Sequence, residues 1–222
     1  MRKFIDLHLH LDGSVPVATV KKLMKEHNMP ALSDEELRQE LSVDSSCKSL
    51  DQFLEKFALP NKLMQTRHDL ETIVYDLLVE LKQQGLVYAE IRFAPQLHTK
   101  KGLTQEDTIE AAISGLNKFL ADQKKQKTLP ELHAGLILCL MRFADNQKQN
   151  METVKLAKKF LGKGVVGLDL AGAEGPIPNI KYKSFFDQAK KLDVPYTIHA
   201  GEADGPDSIR QALAMGAKRI GH

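Results

Sequence analysis

The sequence predicts an α/β fold, either an open doubly wound sheet or a (β/α)8 TIM barrel, incomplete here with six strands. Three observations carry the prediction. Six short apolar runs alternate with stretches of helical period, which implies a parallel sheet with right-handed crossovers. The turn after the first run is His10-Leu11-Asp12-Gly13-Ser14, without the G-x-G-x-x-G of a dinucleotide-binding sheet. Polar residues also recur at the C-terminal ends of the predicted strands, where barrels place their chemistry.

Each element has a local reason. Phe4–His10 alternates with period two and reads as a strand. Residues 15–28 put Val17, Val20, Leu23 and Met24 on one helical face. Residues 32–41 and 50–64 read as further helical pieces, with Ser33 an N-cap and Glu36 completing a capping box. Residues 67–84 form a long helix ended by Gly85 at the C-cap position. Strands are expected at 87–93, 132–140, 165–170, 194–199 and 218–222, separated by helices at 104–124, 146–161, 183–192 and 207–215. The segment Lys124-Lys125-Gln126-Lys127 reads as a solvated helix end, where the helix dipole favours cations. With no linker or repeat in view, residues 1–222 are expected to form a single domain.

Composition excludes several function classes. Lys and Arg number 31 against 29 Asp and Glu, a net charge of +2, which argues against a nucleic-acid partner reached through many phosphates. No apolar run approaches the ~20 residues that span a bilayer, so no membrane partner is expected. Asp6, His8 and His10 interrupt the apolar stretch after Met1-Arg2-Lys3, so a secretory leader is not expected either. Cys47 and Cys139 form no C-x-x-C pair, which removes thiolate zinc sites, redox centres and disulfide scaffolds. A reducing cytoplasm is the expected compartment.

The histidines carry the chemistry. Period two sets Phe4, Asp6, His8 and His10 on one face of the first strand, roughly 7 Å between alternate residues. Two imidazoles there can converge on one metal ion, whereas the alternative is a pair of hydrogen-bonded core histidines. Ile5, Leu7 and Leu9 are expected to face covering helices. His199 ends the fifth strand with Glu202 in the following turn, and His222 ends the sixth. Four of the eight histidines thus sit at C-terminal strand ends on three strands, which in a barrel share one mouth. His27, His68, His98 and His133 read as structural or solvent-facing. Asp6, Glu90, Arg92 and Asp169 lie within strands and are expected to be paired, because a buried charge requires a partner.

Four stretches in order, His8-Leu9-His10-Leu11-Asp12-Gly13-Ser14, Gly167-Leu168-Asp169-Leu170-Ala171-Gly172, Thr197-Ile198-His199-Ala200-Gly201-Glu202 and Arg219-Ile220-Gly221-His222, resemble the adenosine deaminase family of the amidohydrolase superfamily. The resemblance runs along the whole chain. It implies a (β/α)8 barrel of the metal-dependent hydrolase type and zinc-dependent hydrolytic deamination of a small purine nucleoside, adenosine or 2′-deoxyadenosine, in purine salvage. By resemblance His8, His10 and His199 match the ligands of one Zn2+. Glu202 matches the acid that protonates the ring nitrogen N1, and His222 the residue that orients or deprotonates the attacking water. His10, Asp12 and Gly172 match substrate contacts, Asp12 at the ribose and Gly172 through its backbone N–H at the purine. Each has a plainer alternative: turn chemistry for Asp12, backbone conformation for Gly172, a helix cap for Glu202.

The resemblance also has a gap. The family's barrel has two more strands, and its eighth carries an aspartate of the metal shell that no residue here matches. The sequence is therefore expected to be a fragment with little deaminase activity, its first and sixth strands left as edges with apolar surface. Adenine deaminase is the nearest rival activity, but the family pattern there has Glu at the position of Asp12. AMP deaminase would require a phosphate-binding set that is not identifiable. A non-catalytic purine- or metal-binding fragment is the alternative of a different class. Other amidohydrolases commonly use a lysine bridging two metals, and no strand end here offers one.

Overall fold

A computed structural model describes residues 3–125 and 130–222. Met1 and Arg2, and Gln126 and Lys127 of the lysine-rich segment, lie outside the described residues. The chain divides into two compact units, one from the described residues of Met1–Ile91 and Leu97–Gly135, the other from Arg92–Gln96 and Leu136–His222.

The first unit opens with β1 (Phe4–His10), followed by α1 (Val17–Glu26) and α2 (Asp34–Leu41). The capping box expected at α2 is present, Ser33 and Glu36 each binding the other's backbone N–H. The helical stretch expected over 50–64 is divided into α3 (Leu50–Leu54), a 3₁₀ turn at Glu55–Phe57 and α4 (Ala58–Leu63). Pro60 explains the break. It has no N–H for an i−4 bond and its ring crowds the carbonyl of Lys56, whereas in the first turn of α4 neither matters. The long helix is α5 (Arg67–Gln83), capped by a Thr66–Asp69 box and followed by Gly85 at φ 91°.

After β2 (Leu86–Phe93) comes α6 (Gln105–Gln123), with a matching box from Thr104 and Asp107. Helices α5 and α6 make the main helix pair of this unit, with Leu70, Ile73, Val74, Ile109, Ala112 and Leu116 buried. They meet at Gly115, where a Cβ would lie 2.5 Å from the Glu71 carbonyl oxygen. At the end of α6, Lys125 pairs with Asp122 at 2.8 Å, as a solvated helix end should.

The second unit holds most of β3 (His133–Met141), then α7 (Gln147–Phe160), β4 (Val165–Ala171), α8 (Lys183–Lys191), β5 (Ile198–His199), α9 (Gly205–Ala214) and β6 (Ile220–Gly221). Strands β3 and β4 pair in parallel, as do β5 and β6, and a parallel bridge from Leu168 to Tyr196 joins β4 to the segment leading into β5. Consecutive strands are therefore neighbours, as a β/α repeat requires. Leu136, Leu138, Leu140, Leu168, Leu170 and Phe186 supply its core. The fifth strand is shorter than expected. Pro195 has no N–H to give a ladder, although its carbonyl still accepts from Leu168 N at 2.9 Å.

The outer face of the first strand also departs from expectation. Ile5 and Leu7, expected to face covering helices, are 64% and 40% exposed among the described residues. A period of two dictates which side chains share a face, but burial needs a second layer packed on that face. Apolar side chains of the first strand are thus exposed among the described residues. On β6, by contrast, Ile220 is half-buried and Gly221 buried.

Candidate active site

In the first unit, His8 and His10 project from the same face of β1, as their spacing predicts. Their Nε2 atoms lie 3.3 Å apart and their ring centroids 5.3 Å. The strand end is held by Asp6, whose Oδ1 accepts from His8 N at 2.8 Å, and by the Phe57 ring edge-on to His10. At that separation the two Nε2 atoms can share a hydrogen bond or supply two of the four donors of a tetrahedral metal site.

Asp12 follows directly and is 8% exposed. Burial pushes its carboxyl up to about 6, against partial relief from the Asp12 N–H, Asn61 and the Gly13 N–H. Asn61 Nδ2 donates to Asp12 Oδ2 at 3.3 Å. Among the described residues, neither Asp12 Oδ1 nor Asn61 Oδ1 has a well-formed hydrogen bond. A buried acceptor of this kind asks for a hydrogen-bond donor.

The raised carboxyl also predicts a pH effect. Between about pH 3.8, where Asp12 titrates in the unfolded chain, and about pH 6, the folded state holds the extra proton. Stability therefore falls as pH rises through that window, by up to about 3 kcal/mol for a shift of about two units. Asp12→Asn should stabilise the protein near neutral pH by a similar amount and bring no gain below about pH 4. Denaturant titrations of both proteins across this range test it, and parallel pH curves would refute the account.

In the second unit, His199 ends β5 and is 3% exposed. Its Nδ1 lies 2.8 Å from Asp169 Oδ2, a carboxylate that is itself ion-paired with Arg92. A carboxylate on the Nδ1 side of an imidazole leaves Nε2 as the nitrogen for a ligand, the arrangement found in metal-binding histidines. His222 ends β6 with its ring centroid 5.3 Å from that of His199, and its Nε2 is 3.7 Å from Glu202 Oε1. This unit thus brings His199, Glu202 and His222 together. Gly172, at the end of β4, adopts φ 98°, which strains any side chain, and a Cβ there would meet Arg142 N at 3.4 Å. The conformational reading of Gly172 and a backbone contact to substrate are compatible.

The in-strand charges are paired as expected: Arg92 with Asp169, and Glu90 Oε1 with the Tyr88 hydroxyl at 3.1 Å. The remaining histidines have local roles. His27 pairs with Asp69 at 2.8 Å, His68 with Glu26 at 3.1 Å, and His133 stands exposed beside Glu131. His98 is fully buried in a 3₁₀ turn, and burial draws its pKa down to about 3, which keeps it neutral.

Sequence reasoning missed a buried polar frame under the strand ends. Arg142 donates to the carbonyl oxygens of Gly172 at 2.8 Å and His199 at 2.7 Å, and to Asn179 Oδ1 at 2.7 Å. Asn179 Nδ2 donates to Ser208 Oγ at 2.9 Å, and Ser208 donates to Glu174. The signal for Arg142 and Glu174 was their place just past β3 and β4. Nothing in the local sequence marks Asn179 or Ser208.

A profile of the adenosine deaminase family matches residues 4–222. The chain belongs to the adenosine deaminase family. An adenosine deaminase of Haemophilus ducreyi is 50% identical over 223 residues, 98% of this chain and 63% of that protein. One from Clostridium botulinum strain 657 is 40% identical over 98% of this chain and 64% of its own length. Among solved structures, Arabidopsis ADAL complexed with GMP is 27% identical with a TM-score of 0.80, across 98% of this chain and 64% of that one. This family member thus spans a little under two thirds of its relatives' length, and its fold is that part of the deaminase TIM barrel.

Proposed function

We propose that this adenosine deaminase family member, as a single deaminase domain over residues 1–222 with the rest of its barrel, catalyses zinc-dependent hydrolytic deamination of adenosine and 2′-deoxyadenosine to inosine and ammonia. The observation that carries the reading is the grouping of a carboxylate-anchored His199 with His222 and Glu202 in a chain of this family. In this reading His8, His10 and His199 hold one Zn2+. Three imidazoles with no thiolate suit that ion, and the converging Nε2 atoms of His8 and His10 support the assignment. Bound there, the ion supplies the Lewis acidity that makes water a nucleophile near neutral pH.

The chain's own residues do the rest. Glu202 gives a proton to N1 of the purine, which draws electron density from C6 and opens it to attack. His222 takes a proton from the attacking water as the C6–O bond forms. As the C6–N bond breaks, His222 returns that proton to the departing amine, the C6 hydroxyl proton passes to Glu202, and ammonia and inosine remain. Gly172 meets the purine through its N–H, and Asp12, whose Oδ2 is held by Asn61 while Oδ1 has no well-formed hydrogen bond, receives ribose hydroxyls. His10 sits where ligand and substrate contact meet.

The role belongs to purine salvage in the cytoplasm. Two features support that setting: Cys47 and Cys139 form no disulfide, and among the described residues no helix is long and apolar enough to cross a membrane. The test is intact mass, zinc content and turnover of adenosine, adenine and AMP by the natural protein. About one zinc per chain and ultraviolet conversion of adenosine to inosine are expected. Preference for adenine or AMP would overturn the substrate assignment, and purine binding without ammonia release would overturn catalysis.

A further inference from the structure

Glu174 takes no part in the steps above, yet its side chain, 1% exposed, is bound on every side. Gly201 N–H donates to Oε1 at 2.7 Å. Ala203 N–H and Asp204 N–H donate to Oε2 at 2.6 and 3.0 Å, and the Ser208 hydroxyl donates to Oε1. Burial pushes the carboxyl up, but the donors from Ala203, Ser208, Gly201 and Asp204 outweigh it and bring it down to about 2, so it is ionised throughout the working range. These donors flank residue 202 on both sides. Gly201 is itself hemmed in, since a Cβ there would lie 2.8 Å from Ile209 Cδ1 of α9.

We propose that Glu174 is the positioning residue for Glu202: its carboxylate clasps the backbone at 201, 203 and 204 and so sets the reach of the Glu202 carboxyl toward the reacting ring. The clasp is anchored to the strand ends by the chain of contacts from Ser208 through Asn179 to Arg142, which also binds the His199 and Gly172 carbonyls. One buried frame thereby aligns the residues that end β4 and β5 with the loop between β5 and α9. The proposal rests on Glu202 being the acid of the reaction above. A purely structural Glu174 would only stabilise the start of α9.

Glu174→Gln in the zinc-loaded, full-length protein replaces one acceptor by an NH2 group facing the same donors. The kcat for adenosine should fall about 10- to 100-fold, the cost of a misplaced reacting group, with KM changed less than about threefold and zinc content unchanged. In a Glu202→Gln background the same change should add almost nothing, because the group it aligns is gone. An equal fall in both backgrounds overturns the proposal. Amide hydrogen exchange decides independently of turnover. Gly201, Ala203 and Asp204 should exchange at least about tenfold faster in Glu174→Gln while β3 and β4 stay protected. Unchanged exchange there overturns the clasp. If the parent protein fails to deaminate adenosine, the functional reading falls, and with it the role of Glu202, whereas exchange still reports on the clasp. Should Glu174→Gln not fold, Ser208→Ala, which removes one donor from the carboxylate, is scored in the same way.

Discussion

Glu202→Gln is expected to lower kcat for adenosine by about 10²- to 10⁴-fold, the range lost with a general acid. The amide matches the carboxyl in size and can still donate a hydrogen bond to N1, but it has no proton to transfer. Binding should change little, so KM stays within a few fold and the loss falls on kcat. Zinc content should be that of the parent, because the proposed ligands His8, His10 and His199 are untouched. The geometry bears on the size of the effect. Glu202 Oε1 lies 3.7 Å from His222 Nε2, beyond a hydrogen bond, so Glu202→Gln leaves no tight contact of His222 broken. Steady-state kinetics with adenosine and metal analysis decide the matter. Retention of more than about a tenth of kcat would remove Glu202 from proton transfer.

The second large effect is on stability. Arg92 and Asp169 are 1% and 0% exposed and form an ion pair within the second unit. Asp169 Oδ1 also accepts from Leu170 N at 2.7 Å, and Oδ2 faces His199 Nδ1 at 2.8 Å. Arg92→Leu removes the guanidinium from a carboxylate that water cannot reach. Breaking one side of a buried pair costs about 3–5 kcal/mol. Arg92→Leu combined with Asp169→Asn should recover part of that, since the stranded charge is gone, but it weakens the support of His199. Loss of such an outer partner typically costs about 10- to 100-fold in metal affinity. Denaturant unfolding of both variants with zinc titration of the double variant is the check. A loss below about 1 kcal/mol for Arg92→Leu would mean that the carboxylate is served by other partners.

The two experiments sit on parts of the molecule that were unequally legible. His8 and His10 could be placed from their spacing alone, because side chains alternate on a strand whatever packs around it. The capping box at Ser33 and the turn at Gly85 are likewise local, and they stand within a residue or two of where residue types alone put them. The break within 50–64 is legible in the same local way, in Pro60.

The frame beneath the strand ends was of another kind. Glu174 and Ser208 are 34 residues apart, and Arg142 reaches a carbonyl 57 residues away. No periodicity relates such positions, because their pairing follows from how successive β/α repeats stack. Tertiary structure also decided the charge states. Asp12 and Glu174 are both carboxylates beside glycine-containing turns. Burial with few donors lifts the first to about 6, and the four donors around the second outweigh burial and bring it to about 2. The amino-acid sequence by itself determined the repeat of strands and helices, the family, and the histidines at the strand ends, all of which depend on local spacing. Only the folded chain decided which buried groups meet, because desolvation and hydrogen bonding act through space and not along the chain.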